Sequence, residues 1–230
     1  MRIWHISDTH GLHDQLVVPR DIDVVVHSGD ATNSRASWVN KNEMIRFVEW
    51  LAKLAIPHKI FVPGNHDSSV AEREYKAELF EEFGIHLLID EDVTIEGFKF
   101  WGSPWVPRYG DWVYMADRSS FTRRWSFIPD DTDVLITHGP PFGVLDATYG
   151  STNKFELTGC RALQKRVFLL RPRLHLFGHI HSCDDIRNSG TRVLPDAGDT
   201  IFSNGSCCDD GVYDKPTSNG NVLELNKGKK

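Results

Sequence analysis

The chain has 230 residues, of which 40% are hydrophobic and 25% are charged. This composition is typical of a folded domain with enough apolar side chains for a core, and the length suits one α/β domain. The formal net charge of -6 argues against a global basic field that would attract nucleic acid or anionic lipid. We therefore expect one domain over residues 1–230, with a frayed tail at residues 226–230.

The first residues and the cysteines indicate the compartment. Residues 1–8 lack the basic start and apolar stretch of a signal peptide, and no apolar run approaches the length of a membrane span. The four cysteines form no CxxC pair, so we interpret them as reduced thiols. These features predict a cytoplasmic protein without a membrane partner.

Short apolar runs alternate with segments of helical spacing along the chain. Strands are expected at residues 2–6, 23–27, 59–62, 133–137, 174–177, 200–203 and 221–225, and a hairpin at 93–101. Helices are expected at residues 38–54, 70–82 and 157–170, and an irregular, tryptophan-rich loop at 102–114. This alternation predicts an α/β fold, with helices on the faces of a sheet.

Five of the expected strands end in short polar turns that contain glycine. The candidate ligands in these turns are Asp8, His10, Asp30, Asn65, His138, His179 and His181. Because ligands of open α/β sheets collect at the carboxyl ends of strands, we expect these side chains to meet there. Imidazole with carboxylate suits first-row metals such as Mn, Fe or Zn, and this set is too large for one tetrahedral ion. The pattern predicts two metals that share a carboxylate.

Two adjacent metal ions suit the hydrolysis of phosphate esters. Ions about 3.5–4 Å apart clamp the phosphoryl oxygens and lower the pKa of a bridging water, so that hydroxide is available as the nucleophile. His66 follows the candidate ligand Asn65 and is not expected to bind the same ion. We expect it to protonate the leaving oxygen or to hold the phosphoryl group.

These motifs resemble those of the calcineurin-like metallophosphoesterase superfamily. The matching blocks are Asp8-Thr9-His10, Gly29-Asp30, Gly64-Asn65-His66-Asp67, the glycine-flanked His138 and Gly178-His179-Ile180-His181. The resemblance implies a layered β-sandwich flanked by helices, with the metal site at the carboxyl ends of the strands. It implies that one metal ion binds Asp8, His10 and His181, and that the other binds Asn65, His138 and His179. Asp30 would bridge the two ions. His66 would be the catalytic residue that binds no metal.

Three further segments are similar to the metallophosphoesterase-domain (MPPED) subgroup. They are Gly102-Ser103-Pro104-Trp105, Thr137-His138-Gly139-Pro140-Pro141 and residues 174–181. This likeness implies phosphodiesterase activity, including activity on cyclic nucleotides. Some members carry glycine at the position of His179, which weakens their second metal site, whereas this chain keeps the histidine. We therefore expect two competent metal sites.

Three other residues are candidates for substrate contact. They are Trp105, which core packing explains equally well, Arg108 and Asn204. The leading hypothesis is a phosphodiesterase that uses Mn, with Fe, Zn or Mg as alternatives, and whose partner is a small-molecule phosphate ester. A phosphomonoesterase and a non-catalytic scaffold remain the rival hypotheses. A nucleic-acid partner is not expected, and a homodimer is an assembly that the sequence leaves open.

Overall fold

The computed structural model describes residues 1–72, 75, 77–150, 154–183, 185–211 and 213–226. The expected frayed tail therefore lies outside the described residues, except for Asn226. Within these ranges, no helix combines the length and the apolar character needed to cross a membrane.

The described residues form strands and helices that are numbered here in chain order. The strands are β1 (Arg2–Ile6), β2 (Val24–His27), β3 (His58–Phe61), β4 (Ile85–Leu87), β5 (Glu91–Ile95), β6 (Phe98–Ser103), β7 (Val106–Pro107), β8 (Met115–Ala116), β9 (Val134–Thr137), β10 (Ala147–Tyr149), β11 (Phe155–Leu157), β12 (Leu174–Phe177), β13 (Gly190–Val193), β14 (Ile201–Asn204) and β15 (Asn221–Glu224). The α-helices are α1 (Ser37–Lys53), α2 (Ser68–Ala71), α3 (Ala77–Glu82), α4 (Phe121–Trp125) and α5 (Arg161–Leu170).

Two larger sheets contain most of these strands. One is five-stranded, in the order β15-β1-β2-β3-β4, and the other is six-stranded, in the order β13-β14-β12-β9-β6-β5. Strands β1 to β4 run parallel, as do β6, β9, β12 and β14. The carboxyl ends of the parallel strands in each sheet therefore lie at one edge.

The apolar core lies in three layers. Ile3, Val24 and Ile60 of the five-stranded sheet pack with residues such as Val134 and Leu176 of the six-stranded sheet. Side chains alternate across a strand, so the neighbouring residues of the first sheet face the opposite way. There they pack against helix α1, while helices α4 and α5 cover the outer face of the second sheet. The expectation of an α/β fold with layered sheets and flanking helices is confirmed.

Two expected helices differ from the structure at their starts. The helix expected at 70–82 is interrupted: α2 ends at Ala71, α3 begins at Ala77, and the N–H of Tyr75 bonds to the Ser69 carbonyl, six residues back, and not to the helical partner four residues back. The helix expected at 157–170 begins instead at Arg161. Its first expected residue, Leu157, is in β11 and pairs with Ala147 of β10, so strand pairing takes precedence there over helical spacing.

Candidate metal centre

Histidine and aspartate side chains from both sheets meet in one cluster. Three groups among the described residues have ligand atoms within 4.8 Å of one another: Asp8, His10 and His181; His10, Asp30 and His66; and Asp30, His138 and His179. His10 belongs to the first two groups and Asp30 to the last two. The three groups therefore form one continuous cluster, in which neighbouring candidate cation sites share ligands.

The first part of the cluster is built on Asp8 at the end of β1. Its Oδ1 lies 3.2 Å from Nε2 of His181, and that nitrogen lies 3.4 Å from Nε2 of His10. The other carboxylate oxygen accepts the backbone N–H of His179 at 2.9 Å and the hydroxyl of Ser206 at 2.8 Å. The same N–H lies 3.1 Å from Oδ1, so these hydrogen bonds fix the carboxylate while Oδ1 also faces the His181 imidazole.

The second part of the cluster is built on Asp30, after β2. Its Oδ2 lies 3.3 Å from Nε2 of His138, which follows β9 of the other sheet. The same nitrogen lies 3.0 Å from Oδ1 of Asn65, and the rings of His138 and His179 are 4.8 Å apart. Asp30 therefore stands between the His10 side and the His138 side of the cluster.

Backbone carbonyls fix the tautomers of two of the histidines. Nδ1 of His10 faces the carbonyl oxygen of Thr32 at 3.2 Å, and Nδ1 of His138 faces that of Ser28 at 2.9 Å. A carbonyl only accepts, so each Nδ1 carries the proton, and in the neutral ring Nε2 carries a lone pair. Metal-binding histidines are oriented by the same kind of outer hydrogen bond. Both Nε2 atoms point into the cluster, as a metal ion would require.

The charges of the cluster also fit a bound cation. Burial opposes ionisation of Asp8, yet the neighbouring His181 holds the pKa of that carboxyl well below its usual range. Burial likewise disfavours a charged His138, but the Asp30 carboxylate outweighs it and raises the pKa of His138 to about 9. Burial lowers the pKa of His10 to about 4. The buried carboxylates are therefore ionised and favour positive charge beside them. His10 is neutral, so its Nε2 lone pair is able to bind a metal ion.

Four of the candidate ligands have left-handed backbone conformations. The φ angles are 51° for Asp8, 46° for His10, 57° for Asp30 and 71° for His179. Non-glycine residues adopt this region infrequently, although Asp and His tolerate it better than most. Such conformations cluster at functional sites, where the surrounding structure holds them in place. Here they turn the side chains inward at the strand ends.

Glycine is required at two positions next to the ligands, because another ligand residue lies directly against the backbone there. A Cβ on Gly64 would collide with the carboxylate and backbone of Asp30, and a Cβ on Gly178 would collide with the side chains of Asp8 and Ser7. The glycines that flank the ligands in the sequence thus let one strand-end turn lie directly against the next.

His66 lies at the mouth of the cluster. Its Nε2 is 4.0 Å from Oδ2 of Asp30, and its ring is 4.8 Å from that of His10. The backbone N–H of His66 donates to Oδ1 of Asp30 at 2.7 Å. Since His66 also belongs to one of the three groups able to hold a metal, its assignment as a residue that binds no metal stays a prediction.

The three residues expected to contact substrate bind protein groups in the structure, and their contact with substrate stays a prediction. The Trp105 indole donates to Asp90, with Arg124 stacked over the ring, and Arg108 forms an ion pair with Asp117. Asn204 is buried, and its Oδ1 accepts the N–H of Ser206. It therefore acts on the cluster indirectly, because Ser206 in turn holds Asp8.

A cavity of about 620 Å³ opens from the cluster. Its lining includes His10, Asp30, His66, Tyr109, Arg118, Gly150, Glu156, Thr158, His179, His181, Asp210 and Tyr213, and none of Trp105, Arg108 and Asn204. Sequence reasoning missed Tyr109, Arg118 and Tyr213, because none of them belongs to a ligand motif. The tryptophan-rich loop was the one signal that pointed towards Tyr109.

Comparison with known proteins shows which family has a sequence similar to this chain. The calcineurin-like phosphoesterase family model matches residues 1–183. Human metallophosphoesterase domain-containing protein 1 is 33% identical over 88% of this chain, which spans 65% of that protein's length. A UPF0046 protein of Caenorhabditis elegans is 34% identical over 92% of this chain and 71% of its own.

A solved crystal structure shares the fold alone. It superposes with a TM-score of 0.65 at 16% sequence identity and covers 88% of this chain and 89% of its own. The family match includes every candidate ligand, from Asp8 to His181. The chain therefore belongs to the calcineurin-like phosphoesterase family, and its His/Asp cluster is able to hold divalent metal.

Proposed function

We propose that this chain is a dinuclear metal-dependent phosphodiesterase that hydrolyses nucleotide or cyclic nucleotide diesters. The observation that carries the proposal is the position of Asp30, whose carboxylate lies within 4.8 Å of a ligand atom of His10 on one side and of His138 and His179 on the other. One carboxylate shared by two ligand sets is the arrangement expected for a pair of cations.

The donors favour manganese as the native metal. The cluster combines imidazole nitrogens with carboxylate oxygens and the amide oxygen of Asn65. This mixture suits a first-row divalent ion better than calcium, and manganese accepts oxygen ligands readily. Iron, zinc and magnesium are the alternatives that reloading would distinguish. When bound, such a pair of ions lowers the pKa of water and neutralises phosphoryl charge.

His66 supplies the proton in this proposal. Hydrolysis joins the oxygen of water to phosphorus and breaks the bond from phosphorus to the leaving oxygen, which then takes a proton. Nδ1 of His66 lies 3.3 Å from the carbonyl oxygen of Asn33, which accepts a hydrogen bond from Nδ1–H, and Nε2 faces the cluster. A protonated Nε2 is placed to donate to the leaving oxygen, the role of a general acid.

The size of the cavity supports a diester with an organic group of nucleotide size. The cavity, of about 620 Å³, extends from the cluster to Arg118 and to the paired strands β10 and β11. Cavities of this size hold drug-sized ligands. Two tyrosines, Tyr109 and Tyr213, offer aromatic surface beside the histidines, since their rings lie 5.4 Å from His179 and 5.0 Å from His10 respectively.

Metal removal and substrate choice together test the proposal. The purified protein is stripped with chelator, reloaded with Mn²⁺, and assayed with bis(p-nitrophenyl) phosphate, p-nitrophenyl phosphate and a panel of cyclic nucleotides. We expect the stripped protein to be inactive and the reloaded protein to prefer diesters. Faster turnover of the monoester would identify a phosphomonoesterase, and metal binding without any turnover would identify a scaffold.

A further inference from the structure

Trp112, in the loop between β7 and β8, packs against the imidazole of His66. The ring centroids are 4.1 Å apart and the planes are inclined by 31°. The Arg35 guanidinium carbon lies 3.6 Å from the centroid of the same tryptophan ring. The His66 imidazole and the Arg35 guanidinium therefore both pack against the Trp112 indole.

In the part of the chain that the structure describes, the imidazole of His66 has few other close contacts. Its backbone is well held, because the N–H donates to Asp30 and the carbonyl accepts from Thr32 at 2.8 Å and from Asn40 at 2.7 Å. Its ring has, among the described residues, one long hydrogen bond of 3.3 Å from Nδ1 to the Asn33 carbonyl, an edge contact with the His10 ring at 4.8 Å, and a distance of 4.0 Å from Nε2 to Oδ2 of Asp30. The stack on Trp112 is therefore a principal restraint on rotation of the ring.

The two partners of this stack are themselves fixed. Strands β7 and β8 pair at the base of the loop, where Arg108 forms its ion pair with Asp117. Next to Arg108 in the chain, the hydroxyl of Tyr109 lies 3.2 Å from Nδ2 of Asn65. Arg35 follows two residues whose N–H groups bind the Glu43 carboxylate at 2.9 and 3.0 Å. These contacts fix the loop that carries Trp112 and the backbone that leads to Arg35.

We propose that Trp112 is a positioning residue, backed by Arg35, that holds the His66 imidazole in the orientation needed to protonate the leaving oxygen. The contact of a cation with an indole ring and the contact of an aromatic ring with it are both attractive. The inference rests on the proposed function, because it assigns Trp112 a role only through His66.

A series of leaving groups tests this role. The substrates are aryl methyl phosphate diesters whose phenols range from acidic p-nitrophenol to less acidic phenol, and the variants are Trp112→Ala, Trp112→Phe and His66→Ala. A misplaced acid harms the poorest leaving group most, so Trp112→Ala should lower kcat for the phenyl ester on the order of 10- to 100-fold and much less for the nitrophenyl ester. KM should change little. Trp112→Phe, which keeps an aromatic face, should restore most of the loss.

The double variant separates positioning from general damage. Combined with His66→Ala, Trp112→Ala should cost less than about twofold, since its partner is already gone. Trp38→Ala is the matched control, because Trp38 is 73% exposed on α1 and should leave the dependence on leaving group unchanged. Equal losses across the series, or multiplicative losses in the double variant, would overturn the inference.

Proton NMR tests the contact between Trp112 and His66 without any measurement of activity. In the metal-free protein, the Trp112 ring current should displace the His66 Cε1–H proton resonance upfield, and Trp112→Ala should remove the displacement. The signal is assigned by its loss in His66→Gln. An unchanged resonance would show that the rings do not stack, and would overturn the inference. Absence of any diesterase activity would instead refute the proposed function.

Discussion

Asp30 and His138 join the two sheets at the candidate metal centre. Asp30 follows β2 of the five-stranded sheet, His138 follows β9 of the six-stranded sheet, and Oδ2 of the first lies 3.3 Å from Nε2 of the second. Both side chains are almost fully buried. The ligands therefore come from different sheets, and the cluster depends on how the layers pack.

Asp30→Asn is predicted to weaken both metal sites together. The change removes a negative charge that two of the ligand groups share, so affinity for each ion should fall on the order of 100-fold or more. Elemental analysis after reloading measures the stoichiometry. Asp21→Asn is the control, because Asp21 is also left-handed, with φ of 55° against 57° for Asp30, but lies outside all three groups. Loss of only one ion would contradict a bridging role.

His66→Ala is predicted to separate chemistry from metal binding. Metal content should remain close to that of the unaltered protein, while turnover of a diester with a poor leaving group should fall about 10²- to 10⁴-fold, the usual range for a general acid. His86→Ala, on β4 at the edge of the first sheet, serves as the control. If metal content falls with activity, His66 is a ligand instead.

Gly178→Ala is predicted to displace Asp8. The new methyl group would overlap the Asp8 carboxylate and the Ser7 side chain, and such overpacking typically costs about 1–3 kcal/mol. Urea unfolding and metal content should both show the loss. Gly84→Ala has open space around its Cβ but a φ of +68°, so it should lower stability without changing metal content. Normal metal binding by Gly178→Ala would show that the cluster tolerates the shift.

The stability of the metal-free protein is predicted to fall as the pH falls below about 6.5. Burial lowers the pKa of His5, His27 and His175 to about 3, so each is neutral when folded and takes up a proton on unfolding between pH 6.5 and 3. Each group then removes up to about 1.4 kcal/mol of unfolding free energy per pH unit. Urea unfolding across this window measures the slope. His175→Leu removes one of the protons taken up on unfolding, so it should make the dependence of unfolding free energy on pH less steep. An unchanged slope would contradict the prediction.

The strand ends of the site were predictable from sequence for a local reason. The Val24–Val26 run is buried on both faces, so it is uniformly apolar, and the change to a polar turn before Asp30 is abrupt. A resemblance to family motifs then supplied the ligand sets and the role of His66. Sequence did not show that four ligands adopt left-handed backbone conformations, because non-local contacts impose them.

Elements fixed by distant contacts were missed. Strands β7, β10 and β13 are short and partly exposed, so periodicity gave no signal, and they form because a partner strand is nearby. Arg118 also carries no motif, and its guanidinium reaches the cavity by bonding to the carbonyls of Thr158 and Gly159. Trp105 was even harder to assign, since only the fold shows that its indole turns towards Asp90.

Anomalous diffraction from crystals of the protein reloaded with Mn²⁺ tests the central claim most directly. The account predicts two peaks about 3.5–4 Å apart, one beside Asp8, His10 and His181, the other beside Asn65, His138 and His179, with Asp30 between them. A single peak, or an empty cluster whose imidazoles point away from one another, would contradict it.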